Sequence, residues 1–142
     1  MKNVYEIFEE FVKAESKDDK IFILRNNVRQ NRRMTEVLQG AMHPNIQFVI
    51  KNPLEYNPSL DPPGLAYSTM ESIFDRIYLF TEGSTRVSPA LTLKNKEVLA
   101  IQILEGMEAK EANVFMNMLM KDLKVPGLTP EIVEEAFPGL LH

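Results

Sequence analysis

Along most of this chain apolar residues return every three or four positions, the spacing of a helix that buries one face. Val4, Ile7, Phe8, Phe11 and Val12 form one such stripe over Lys2 to Ala14, with Glu6, Glu9 and Glu10 opposite. That face serves either an ordinary core or a partner's groove. Ser16-Lys17-Asp18-Asp19 reads as a capping box in which Asp19 stands for the usual Glu, so a helix follows with Ile21, Phe22 and Leu24 inside. Met34, Val37, Leu38 and Ala41 carry a third helix that stops at His43-Pro44, where His43 reads as a turn residue. Ile46 to Ile50 is short and apolar, and its pattern fits helix and strand alike. Lys51 to Tyr67, with Pro53, Pro58, Pro62, Pro63 and Gly64, is an extended loop pinned by Leu54 and Tyr56, either functional or a bracing strap.

The second half repeats the helical pattern. Ser68 with Glu71 predicts a capping box, followed by a Met70, Ile73, Phe74, Ile77, Tyr78 stripe through Phe80 and a stop at Gly83. After the polar turn Ser84 to Pro89, a helix is expected over Leu91 to Gly106, with Val98, Leu99, Ile101, Ile103 and Leu104 largely buried. Another is expected over Glu108 to Leu123, with Ala112, Phe115, Met116 and Leu119 inside. Pro126 cannot extend it, and Gly127 has the freedom to close it. Thr129 then offers an N-cap oxygen, Pro130 suits the first helical position, and Glu131 sits where the helix dipole favours an acid. Ile132, Val133, Ala136 and Phe137 give the last helix its apolar side, and Pro138-Gly139 ends it. The expected fold is all-α: a single domain over residues 1–142, built as a compact bundle of about six or seven short helices.

Met120-Lys121-Asp122-Leu123, Gly127, Ile132 to Ala136 and Pro138-Gly139-Leu140 carry a resemblance. They resemble the end of the all-helical N-terminal DNA-binding domain of T-even-type phage ATP-dependent DNA ligases. There a helix closes on a basic residue and Asp-Leu, then come a Gly-containing turn, a short helix and Pro-Gly-Leu. Glu97 to Glu105, Glu111 to Met116 and Glu135 to Leu141 are similar to segments of small uncharacterised T-even-type phage proteins of this length. The ligase resemblance implies a helical body that grips duplex DNA across the minor groove through basic side chains and backbone N–H groups on inter-helix turns. On the matching turn it implies Lys121, Lys124, Gly127 and Thr129, and on an earlier one Arg86, Ser88, Lys94 and Lys96. Lys51 also falls at a basic position of that pattern. Pro126 departs from it, standing where an N–H donor is expected.

Charge and chemistry narrow the function. The chain of 142 residues has a net charge of −4, which argues against coating nucleic acid by bulk electrostatics. One basic island stands out: Lys20, Arg25, Arg29, Arg32 and Arg33, with no acid between them and Asn and Gln filling the gaps. Such an island is a solvated face or a place where Arg and Asn meet phosphates; Arg29, Arg32 and Arg33 join the candidate DNA contacts. The nucleotidyl-accepting Lys-x-Asp-Gly of ligases is absent, as are phosphate-cradling glycine patterns, Gly-x-Ser-x-Gly and His-Glu-x-x-His. No catalysis, cofactor or metal is expected. With no Cys, no apolar run long enough for a membrane and a charged N-terminus, the chain reads as a protein of a reducing cytoplasm. The resemblance makes that the cytoplasm of the infected bacterial host. The expected function is a non-catalytic phage DNA-binding or replication accessory protein that holds duplex backbone without reading sequence. The alternative is a protein–protein adaptor or inhibitor on a phage or host replication or transcription protein.

Overall fold

The helix Ala109–Leu119 supplies more of the core than any other segment, burying Ala112, Phe115, Met118 and Leu119 almost completely. The computed structural model describes residues 3–29, 31, 33–60 and 69–141, and of Glu71 the backbone alone. In it α1 (Val4–Lys13), α2 (Lys17–Asn27) and α3 (Arg33–Met42) are followed by the single turn α4 (Met70–Ile73), which continues as a 3-10 helix, Phe74–Phe80. Then come α5 (Leu93–Gly106), α6 (Ala109–Leu119) and α7 (Pro130–Ala136). The fold is all-α. α6 packs against α1, α3 and α5, while α2 lies across α1 and α7.

Local sequence places most helix starts. The Ser16 hydroxyl accepts the Asp19 amide at 3.1 Å, and the Thr129 hydroxyl accepts that of Ile132 at 3.3 Å. Each satisfies one of the four amides that a helix start leaves unpaired. The capping box ahead of α4 sits one residue later than the pattern suggests. Thr69 and Ser72 form it, each side chain accepting the other's backbone amide. Ser68 and the Glu71 side chain lie outside the described residues, as do Pro62, Pro63, Gly64 and Tyr67 of the predicted loop. Ile46 to Ile50 becomes neither helix nor strand. It is extended, and Phe48 and Thr81 form an isolated antiparallel bridge, with Val49 donating to the Phe80 carbonyl at 2.7 Å.

The core joins every helix, with Phe80 meeting Phe115 edge to face at 6.4 Å. Three side chains expected inside lie at the surface: Phe22 is 65% exposed, Val98 45% and Val12 44%. Phe22 precedes the buried Leu24 by two residues, about 200° around the helix, so the two cannot share a face. Val98 stands in the same relation to buried Ala100.

The predicted helix over Glu108 to Leu123 ends four residues early. Lys121 takes the left-handed conformation, φ 61°, and closes α6 with two bonds: its amide to the Met118 carbonyl and that of Asp122 to the Asn117 carbonyl. This is the Schellman arrangement, built on a lysine where glycine is usual. Gly127, expected to close this helix, is also left-handed at φ 81° but shapes the turn before α7.

Gly40, inside α3, packs against the Met118 side chain of α6. A Cβ there would stand 2.8 Å from the Met118 Sδ and 3.3 Å from the Phe48 ring. Gly40→Ala gains helix propensity of about 1 kcal/mol but overpacks by about 1–3 kcal/mol. We expect a net loss of about 1 kcal/mol in urea unfolding. A variant as stable as the parent would show that Met118 yields freely.

Candidate nucleic-acid interface

The left-handed backbone at Lys121 aims its side chain across the molecule toward the end of α3. There the ammonium donates to three carbonyls: Ile46 at 2.6 Å, Gly40 at 2.7 Å and His43 at 2.9 Å. A lysine ammonium has three protons, so all are engaged within the protein. The Phe48 ring lies 5.9 Å below it. Burial draws the Lys121 pKa below the ordinary lysine value, and the charge of nearby Lys51 adds to the effect. Lys121, expected to face phosphate, is instead the cap of another helix. The orphan carbonyls at a helix end and the negative end of its dipole explain the attraction.

The same fate meets much of the basic island. The Arg25 guanidinium caps α7, donating to the Glu135 carbonyl at 2.7 Å and that of Ala136 at 3.0 Å. The Lys20 ammonium reaches the Phe11 carbonyl near the end of α1 at 3.4 Å and lies 4.8 Å from the Phe11 ring centre. A Cβ on Gly127 would stand 3.3 Å from that ammonium, so the start of α2 meets the α6–α7 turn. Arg33 forks onto both Glu36 oxygens at 2.7 and 2.9 Å and reaches Asp75 at 3.5 Å. Arg29 is exposed, and Arg32 lies outside the described residues.

Other candidates divide in the same way. Lys51 pairs with Glu82 at 2.9 Å, and the Arg86 guanidinium stacks 4.2 Å over Tyr78. The Ser88 hydroxyl accepts the Ala90 amide, and Thr129 is engaged as the α7 cap. Lys124 is different. It is exposed and left-handed at φ 56°, its amide held by the Asp122 carboxylate at 3.0 Å and its ammonium directed to no acceptor among the described residues. Lys94 is exposed and Lys96 half-buried in the first turn of α5. A cation at a helix start opposes the dipole, so helix stability does not account for this pair. Lys51 thus stands near Lys121, and Lys121 and Lys124 border one hollow beside the α6–α7 turn, where Lys124 alone of the three has an ammonium without a partner among the described residues.

A buried acidic cluster escaped the sequence reading altogether. The Tyr5 hydroxyl donates to Glu108 at 2.6 Å, and Asn3 donates to its other oxygen at 3.4 Å. The bond to Glu108, with burial, pushes the tyrosine pKa up to about 12. Beside them Glu111 is buried, and desolvation followed by the Glu108 charge raises its pKa, against a backbone hydrogen bond from Met70 that lowers it. No local pattern signals this group, because Asn3 and Tyr5 are more than a hundred residues from Glu108. Among the described residues no group of three or more His, Cys, Asp or Glu is arranged to hold a metal, and no helix is long and apolar enough to cross a membrane. No protein-family model and no curated protein matches the chain.

Two expectations follow. Lys121→Met removes three charge-assisted bonds and strands the α3 carbonyls, so we expect a loss of about 3 kcal/mol, roughly 6–12 °C in Tm, whereas Lys124→Met leaves Tm unchanged. Equal Tm values in a thermal scan would refute the clamp. For Glu111, a folded-state pKa above the unfolded one means that the native state holds the extra proton between the two values. The stability this confers is fully present below the unfolded pKa and is lost as pH rises through the folded one. Glu111→Gln should therefore raise Tm at pH 7 and give little gain once pH falls below the ordinary carboxylate value of 4.5. Calorimetry at both pH values checks the sign.

Proposed function

We propose that the protein is a non-catalytic DNA-binding accessory of a phage, holding duplex backbone weakly and without sequence readout in the manner of the ligase domain it resembles. The observation that carries this reading is three cations of the implied contact pattern that engage no partner among the described residues: Lys124 on the α6–α7 turn and Lys94 and Lys96 at the start of α5. All three belong to the pattern that the resemblance implies for phosphate contact. The other cations of that pattern serve the fold, which makes the footprint small. The absence of the ligase nucleotidyl-transfer motif supports a purely binding role. Its place of work would be the infected host's cytoplasm.

A second reading, an adaptor on a phage or host replication or transcription protein, is favoured by a separate observation: an open groove of about 860 Å³ between α1 and α6.

Fluorescence anisotropy on two unrelated labelled duplexes tests the first reading. Neutralising roughly three phosphates gives a slope of about −3 in log K against log salt, shallower than that of a protein making six or more contacts. Both duplexes should bind alike, and Lys94→Glu, Lys96→Glu and Lys124→Glu together should abolish binding. Absence of binding at low salt, or a triple variant that binds as before, would end the proposal.

A further inference from the structure

Two helix faces line one side of the molecule, and no element among the described residues covers them. On α1 the stripe is Tyr5, Phe8, Glu9, Val12 and Lys13; on α6 it is Ala109, Lys110, Asn113, Val114 and Asn117. Both have the spacing that puts side chains on one side of a helix over about two turns, roughly 12 Å. Val125 and Pro126 of the α6–α7 turn close one end, and Tyr56 and Pro58 of the extended segment flank the other. The result is a trough with an apolar floor, into which Val12 projects 44% exposed.

Its rim carries Lys13, Lys110 and Lys124 against a single acid, Glu9, which Lys110 already pairs at 3.2 Å. In a protein of net charge −4, the trough is thus ringed by a local surplus of two positive charges. Neither Lys13 nor Lys124 has a carboxylate partner among the described residues. On the α6 wall the Asn113 side chain offers an amide donor and acceptor suited to a bound backbone, while Asn117 already donates to the Leu123 carbonyl at 3.4 Å. Apolar floor, polar wall and cationic rim together match one kind of occupant.

We propose that this trough is a docking site for a short acidic segment of a partner protein, carrying two or three large apolar side chains between its carboxylates. The apolar side chains lie on Phe8, Val12 and Val114, and the carboxylates face Lys13 and Lys124. The proposal rests on the adaptor reading and gives it a chemistry. Lys94 and Lys96 take no part in it, while Lys124 serves both readings, so a duplex and the acidic segment would compete for that one ammonium.

The test is panning of a random twelve-residue peptide library against the immobilised protein and against two variants, Val12→Glu and Lys13→Glu with Lys124→Glu. These side chains make no hydrogen bond in the fold, and an unchanged helical circular dichroism spectrum verifies that the variants are folded. The expected result is enrichment of acidic peptides bearing Leu, Ile, Phe or Met. Their affinity, read by anisotropy on the synthesised winners, should fall about tenfold in either variant. Basic or purely polar winners, or winners indifferent to both variants, would overturn the stated chemistry and leave the adaptor reading standing. No enrichment at all would overturn both.

Discussion

One ammonium group ties the end of α6 to the end of α3. Lys121 leaves α6 in a left-handed conformation that costs a non-glycine residue about 1 kcal/mol. From there it binds three carbonyls at and beyond the end of α3. The same residue thus carries both the strained φ of 61° and the three bonds to carbonyls at and beyond the end of α3. Gly40, which supplies one of the carbonyls, is also where α3 packs against the Met118 side chain of α6 with no room for a Cβ. A close helix crossing is thereby fixed at one point by packing and by charge.

The clamp is one case of a wider use of cations. Lys20, Arg25 and Lys121 each reach from one element to carbonyls at or near the end of another helix: α1, α7 and α3 respectively. Helix ends present unpaired carbonyls and partial negative charge, and a long basic side chain answers both at once. None of these helices has a basic residue of its own making that contact. The economy has a functional consequence. Basic residues that serve as caps are withdrawn from any ligand, which removes three of the 16 Lys and Arg side chains from the count of available charges.

The unengaged cations divide between two candidate surfaces that share Lys124. Lys94 and Lys96 work against the dipole of their own helix, which removes a structural motive for them. Lys13 and Lys124 border an apolar trough instead, where charge surrounds greasy surface in the manner of a recognition site for protein. Lys124 belongs to both descriptions, since the α6–α7 turn forms one end of the trough.

Much of the fold was legible in the chain because helices are written locally. Stripes at three- and four-residue spacing, Ser16 and Thr129 as caps, Pro130 at a first turn and Pro138-Gly139 as a stop each act within a few residues, so the all-α bundle and most helix bounds follow from sequence alone. What tertiary structure decided was the employment of the long polar side chains. Lys121 finds its carbonyls 75 to 81 positions away, Arg25 finds its own 110 and 111 positions away, and Tyr5 finds Glu108 103 positions away. A flexible side chain of four or five bonds goes wherever an unsatisfied carbonyl or carboxylate lies within reach. Which ones lie within reach is set by helix packing, which no local pattern of lysines and arginines records.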